Sequence, residues 1–203
     1  MKIFAVGMNY KAHLLELGDA VPDEPVIFMK PDTALLAKGE PFVLPQFSDE
    51  LDYEAELVIK ISRNGKFIPK EVAKDYFDEI TVGIDFTARD LQRSLRAKKN
   101  PWELCKAFDQ SAGLGDFVSI RQLKDKKNIS FSLTINGEIR QSGVSSDMIF
   151  GFDEIISYIS QYITLCEGDL IYTGTPSGIG KLSKNDFLEG FMENNKVLEI
   201  RID

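Results

Sequence analysis

Residues Tyr53 to Ile61 read Tyr-Glu-Ala-Glu-Leu-Val-Ile-Lys-Ile, an alternation of apolar and polar side chains. A period of two is the signature of a β-strand, whereas a helix repeats its apolar residues every three to four positions. The rest of the chain follows the same grammar. Ile3 to Val6, Phe42 to Leu44, Leu170 to Thr173 and Val197 to Ile202 are short apolar runs of strand length. Phe131 to Ile135, then Asn136-Gly137, then Glu138 to Gln141 predicts a hairpin, because Asn-Gly supplies the positive φ angles of a type I′ turn. Helical signals are fewer. Pro69 opens a stretch with Val72, Ala73, Tyr76 and Phe77 at helical spacing. Asp153 is placed to cap a helix bearing Ile155, Ile156, Ile159 and Ile163, with Phe152 as its staple. The expected class is mainly β with a few helices (α+β). No repeat, low-complexity tract or linker divides residues 1–203, so a single domain is expected.

Charge narrows the function. The 24 Lys and Arg face 32 Asp and Glu, a formal net charge of −8. An acidic surface repels the phosphate backbone and argues against nucleic acid as partner. The basic run Arg93, Arg96, Lys98 and Lys99 is read as a solvated loop or lid. Cys105 and Cys166 are far apart and lack zinc-type neighbours, which suits reduced thiols. Ile3 to Val6 is too short for a signal-peptide apolar region, and no run is long enough to span a membrane, so a soluble, cytoplasmic protein is expected.

Three patterns carry candidate chemistry. Residues i and i+2 of a strand share a face, so Glu54 and Glu56 project side by side. Asp85 sits in a second apolar run, Val82 to Phe86. Three carboxylates make an all-oxygen site suited to Mg²⁺, Mn²⁺ or Ca²⁺. The same residues also fit a wet strand face and a turn cap, and the pattern alone leaves both open. His13, the sole histidine, is spaced i, i+3 from Glu16. On a helical turn the pair makes a general-base dyad or an ordinary ion pair. Finally, Gly168 to Lys181 is a strand running into a glycine-rich loop whose N–H groups and Thr hydroxyls could cradle a carboxylate, or form a plain turn. It is not a phosphate-binding P-loop, since five residues separate Gly174 from Gly180 and Leu182 follows Lys181.

Taken in order, the wording is specific. Gly7-Met8-Asn9-Tyr10 with His13-x-x-Glu16, Pro25 to Pro31, Tyr53-Glu54-Ala55-Glu56-Leu57 and Asp85-Phe86-Thr87-Ala88-Arg89-Asp90-Leu91-Gln92 come first. Pro101-Trp102-x-x-x-Lys106-x-Phe108-Asp109, Asn136-Gly137-Glu138-x-Arg140-Gln141, Asp147 to Phe150 and Gly168 to Gly180 follow. Over nearly its whole length the chain resembles the fumarylacetoacetate hydrolase family, in its short single-domain branch. The resemblance implies a roll of mixed β-sheets, a homodimer, and a Mg²⁺ or Mn²⁺ ion held by Glu54, Glu56 and Asp85. It implies a water-activating dyad of His13 and Glu16, with Lys106 as a third catalytic group. It makes Arg89, Gln92, Gly174 and Thr175 substrate-binding. The expected reaction is metal-dependent C–C hydrolysis of a small 2-oxo or 1,3-dicarbonyl acid of the acylpyruvate type. Decarboxylation of an oxaloacetate-like acid, isomerisation or tautomerisation of a 2-hydroxy-diene-dioate, and keto-acid binding without turnover are the alternatives.

Overall fold

The structure is a computed structural model and describes residues 1–203, the Leu17 side chain excepted. In chain order the elements are β1 (Ile3–Gly7), α1 (Lys11–Leu17), β2 (Val26–Lys30), β3 (Leu51–Tyr53), β4 (Ala55–Ile61), α2 (Lys70–Ala73) and β5 (Phe77–Asp85). Then come β6 (Thr87–Ala88), α3 (Arg89–Ala97), α4 (Glu103–Lys106), β7 (Ala112–Leu114), β8 (Val118–Ser119), β9 (Ser130–Ile135) and β10 (Glu138–Val144). The chain closes with α5 (Phe152–Tyr162), β11 (Leu170–Tyr172), β12 (Gly180–Lys181), β13 (Phe187–Met192) and β14 (Asn195–Arg201).

The largest sheet runs β2-β1-β11-β4-β5-β7, with β8 also on β5. It is mixed, because β1 and β11 pair parallel while their other neighbours are antiparallel. A second sheet, β10-β9-β13-β14, packs against it, and a small third sheet joins β12, β3 and β6. The α+β expectation holds. The predicted hairpin also forms, with Asn136 at φ 54° and Gly137 at φ 82°.

β4 is central and buried on both faces. Leu57, Ile59 and Ile61 enter the main core with Ile155, Ile156 and Ile159 of α5 and with Phe131 and Leu133 of β9. Each fully buried aliphatic side chain there contributes roughly 1.5–3 kcal/mol. On the opposite face Val58 meets Ile3, Ala5, Leu170 and Tyr172. The acids of the alternation, Glu54 and Glu56, therefore do not point to water, whereas Lys60 reaches the surface. Among the described residues no helix is long and apolar enough to cross a membrane.

Several local expectations are corrected. The long strand from Tyr53 to Ile61 breaks at Glu54, so β3 and β4 belong to different sheets. Phe42 to Leu44 makes only an isolated bridge, Phe42 to Ile202, because Pro41 and Pro45 lack the N–H groups a longer ladder needs. The Pro69 helix is one turn followed by a 3₁₀ turn, since Phe77 is drawn into β5 as a buried strand residue. Gly151, not Asp153, is the N-cap of α5, and Phe152 is its first residue, packed on Phe77 at 5.5 Å between ring centres. Asp153 lies in the first turn, where the helix dipole favours an acid. The basic run is no loop, because Arg93 and Arg96 lie on α3 and Lys98 ends it.

Candidate active site

Strand register brings the three carboxylates together. Glu56 pairs with Gly83 across β4 and β5, and the Asp85 N–H donates to Glu54 O at 2.8 Å, so Glu54 and Asp85 stand opposite each other. Counting in twos, Glu54, Glu56, Gly83 and Asp85 all present to one face. Glycine is required at position 83, since a Cβ there would lie 2.7 Å from Val58 Cγ2 and Tyr172 Cε1. One oxygen from each of Glu54, Glu56 and Asp85 lies within 4.8 Å of the others, and all three residues are buried.

This donor set fits a divalent cation. Asp85 Oδ1 lies 2.7 Å from Lys30 Nζ but off the line of a hydrogen bond, which leaves it a buried acceptor without a hydrogen-bond partner. Glu56 has no side-chain cation within ion-pair reach, and accepts only the Gly174 N–H, at 2.6 Å. Burial, then Asp85 and Glu54, push the Glu56 carboxyl well above its ordinary value. Hard carboxylate oxygens with room for an ion suit Mg²⁺ or Mn²⁺.

Three buried cations frame the acids. Lys106 Nζ donates to Glu54 Oε2 (2.7 Å), Asp85 Oδ2 (2.7 Å) and Thr87 Oγ1 (2.6 Å). Lys30 Nζ donates to Ser111 O and Oγ, both at 3.0 Å, and to Lys106 O. Arg89 divides its donors among Asp52 (2.8 Å), Gln92 (2.5 Å) and Glu54 (2.5 Å). Burial works against charge at Glu54, but Lys106 and Arg89 outweigh it and hold that carboxyl far below its ordinary value. For Lys106 burial is likewise outweighed, here by Asp85 and Glu54, and its pKa is raised. Lys30 is the reverse case, lowered because burial wins. With every group ionised, as an ion bound to Glu56 requires, Asp52, Glu54, Glu56 and Asp85 against Lys30, Arg89 and Lys106 leave one net negative charge. A bound divalent ion turns that into one net positive charge, the sign an organic acid requires.

The dyad lies on α1, as its spacing predicts. His13 Nδ1 is 3.3 Å from Glu16 Oε2, and the Gly178 N–H donates to both Glu16 oxygens at 3.3 Å. His13 is buried and lines the same pocket as the three acids, with Arg89, Gln92, Lys106, Thr175, Phe28 and Trp102. The volume that the centre of a water can occupy between these walls is about 30 Å³, room for one or two waters.

The glycine-rich loop is engaged elsewhere than expected. Gly174 spends its N–H on Glu56, and Thr175 Oγ1 donates to Ala55 O at 2.9 Å. Thr175 in turn accepts from Gln141 Nε2 at 2.8 Å. A hydroxyl has one proton, so Thr175 must release Ala55 before it can donate to a substrate. Gly174 stands at φ +99°, and a Cβ there would lie 2.7 Å from Asn9 Cβ.

Sequence reasoning gave no role to Asn9, Lys30 and Gln141, which it met only inside motifs, and passed over Asp52. Asn9 is fully used, donating to Phe150 O and Thr173 O and accepting from Phe150 N, which ties the α1 approach to the loop. Gln141 accepts from the Ala55 N–H and donates to Thr175 and Pro176, turned inward by the bulge between Ile139 and Gln141. Lys30 carried the one usable signal, a charge at the buried i+2 position after Phe28.

A model of the family described as fumarylacetoacetate (FAA) hydrolase C-terminal matches residues 2–203. The rat protein named oxaloacetate tautomerase FAHD1, mitochondrial, is 39% identical over 201 residues, 99% of this chain and 91% of its own length. The Arabidopsis thaliana protein of the same name is 42% identical, over 88% of this chain and 80% of its own. Among solved structures, fumarylpyruvate hydrolase from Pseudomonas aeruginosa, in complex with Mn²⁺ and pyruvate, superposes with a TM-score of 0.93 at 34% identity, covering 100% of this chain and 89% of that one. A fumarylacetoacetate hydrolase family protein from Yersinia pestis CO92 gives 0.94 at 37% identity, over 100% and 93%.

Proposed function

Because this chain belongs to the fumarylacetoacetate hydrolase family, we propose that it is a Mg²⁺- or Mn²⁺-dependent hydrolase that cleaves a C–C bond in a small acylpyruvate-type acid. The observation that carries this reading is the facing of two devices across one pocket, the Glu54, Glu56 and Asp85 cluster and the His13–Glu16 dyad. The ion held by the three carboxylates would supply Lewis-acid stabilisation of negative charge on a keto oxygen. Glu16, fixed by the Gly178 N–H, orients His13 through Nδ1. His13 then takes a proton from a water, which attacks the carbonyl carbon distal to the acid. The bond to the next carbon breaks, its electron pair stays with the pyruvate fragment, and the proton returns to that carbon. Lys106 keeps a positive charge beside the developing anion. Arg89 holds Glu54 in place, and Gln92 holds Arg89.

A second reading is keto–enol exchange of an oxaloacetate-like acid. Two proton-bearing groups, His13 and Lys106, line the same small space, so a proton can leave and return without a hydrolytic water. The names of the rat and Arabidopsis relatives favour it. Both readings take the chain as one catalytic domain acting as a homodimer in the cytoplasm; the mitochondrial designation belongs to the relatives.

The test is the ultraviolet absorbance of the acetylpyruvate enol with purified protein, in Mg²⁺ or Mn²⁺ and then in excess chelator. Loss of the band only with metal, with acetate and pyruvate as products, supports hydrolysis. An unchanged band alongside catalysed oxaloacetate enol decay supports the second reading instead.

A further inference from the structure

The helix that carries the dyad is fastened at its far end. α1 stops at Gly18, whose left-handed turn (φ 71°) lets the Asp19 N–H reach Leu14 O at 2.9 Å and the Gly18 N–H reach Leu15 O at 3.4 Å. This is a Schellman turn, which folds the chain back over the helix end. It delivers Asp19 to α3, where Arg96 Nη2 donates to Asp19 Oδ1 at 2.5 Å. The pair sits at a rim, with the Arg96 side chain 36% and the Asp19 side chain 15% exposed. Asp19 and Arg96 both line the pocket that holds Glu54, Glu56, Asp85 and His13.

α3 explains why Arg96 reaches the pocket rim. Arg89, Gln92 and Arg96 are spaced i, i+3, i+7 and form one face of the helix, and all three line the pocket. Arg89 is anchored on Glu54 at the metal-ligand end. Seven residues of helix rise carry Arg96 roughly 10 Å further along, a span on the scale of a short diacid beside the acidic cluster. The present occupant of Arg96 fits poorly. Asp19 Oδ2 is buried without a hydrogen-bond partner, although a guanidinium can serve both oxygens of a carboxylate.

We propose that Arg96 is the receptor for the distal carboxylate of a 2-oxo dicarboxylic acid, and that Asp19 stands in for that carboxylate while the pocket is empty. The proposal deepens the reading above and rests on it for the position of the substrate's proximal end. It also gives admission a cause. The inner pocket has room for only one or two waters, and a diacid that takes Arg96 from Asp19 releases the end of α1 and widens it. A monoacid has nothing to exchange for that pair.

The test is calorimetric binding to the Mn²⁺-loaded protein of two acids of equal chain length, 2-oxoglutarate and 2-oxovalerate, which lack the 1,3-dicarbonyl arrangement that is cleaved. The wild type should hold the diacid at least about tenfold more tightly, the scale of one charge-assisted contact. Arg96→Gln should bring the two affinities within about twofold, and Arg96→Lys, which keeps the charge but loses the fork, should fall between. Asp19→Asn removes the internal competitor and should widen the wild-type preference. Equal affinities in the wild type, no binding of either acid, or a preference that survives Arg96→Gln would overturn the proposal. So would matched effects of both substitutions on the two acids, the mark of a simple helix-to-helix tie. An Arg96-dependent preference without turnover of any keto acid would sink the hydrolase reading and leave this one standing. Turnover without the preference would do the opposite.

Discussion

The Gly174 N–H donates to Glu56 Oε2 at 2.6 Å, and that backbone group is the sole hydrogen-bond donor on a carboxylate buried beside two others. Glu54 and Asp85 each have lysine partners, and Glu56 has none. Replacing a buried carboxyl that has no cationic partner, and so must hold a proton or a metal, relieves the fold. Glu56→Gln should therefore melt no lower than the wild type without metal. It should also lose the Mn²⁺-induced rise in melting temperature and at least ~100-fold in activity, the upper range for damage to a metal's ligand environment. Thermal melts with and without Mn²⁺ check this, and an undiminished metal effect would remove Glu56 from the ligand set.

The same neighbours give opposite pH dependences. Glu56 is raised above its ordinary value of 4.5 by burial, Asp85 and Glu54, so the folded state binds a proton that the unfolded state has released. Its contribution to the metal-free protein is present below pH 4.5 and is lost as pH rises. Glu54 is lowered, with burial outweighed by Lys106 and Arg89, so its contribution is present above pH 4.5 and is lost on acidification. Between pH 4.5 and neutrality the metal-free wild type should lose melting temperature relative to Glu56→Gln. Saturating Mn²⁺ should abolish that slope. Parallel pH profiles without metal would refute the assignment.

Arg89 ties Asp52, Glu54 and Gln92 together from one guanidinium. Arg89→Leu leaves the buried Asp52 carboxylate without its cation and Glu54 with Lys106 alone, and should cost about 3–5 kcal/mol in urea unfolding. Arg89→Lys should recover part of this, because a point charge cannot serve three directions. A loss under about 1 kcal/mol, the scale of an exposed pair, would show that the network is open to water.

His13→Ala removes the group held by Glu16. Acetylpyruvate cleavage should fall by roughly 10²–10⁴, the usual contribution of a general base. Oxaloacetate enol decay should fall less if Lys106 can move that proton alone. Equal losses on both substrates would assign His13 to the proton transfer common to both reactions.

How much of this was legible follows from what each residue depends on. The His13–Glu16 pair could be read because one helical turn brings i and i+3 together, and the hairpin because Asn136-Gly137 sets its own backbone. The acids were legible as a pattern but not as a burial, because the second face of β4 is covered by residues from outside the sheet, Ala34, Leu35 and Trp102. The break at Glu54 was hidden, since an unbroken alternation does not show a strand changing sheets. Arg93 to Lys99 was misjudged because charge density masks a helix whose buried face is itself polar, through Arg89 and Gln92. Lys30, Asp52 and Gln141 have roles created by partners 76, 37 and 34 residues away, which no local window contains.

The buried ion cluster also bears on how the chain reaches its native state. Lys30, Asp85 and Lys106 arrive on β2, β5 and α4, and any one of them docking early is a lone charge in a dry interior, at a cost of several kcal/mol. The cluster can close only after those elements have met, so it forms on the downhill side of the folding barrier. It is a late lock: Lys30→Met should speed unfolding while leaving the folding rate almost unchanged, a φ-value near zero by stopped-flow.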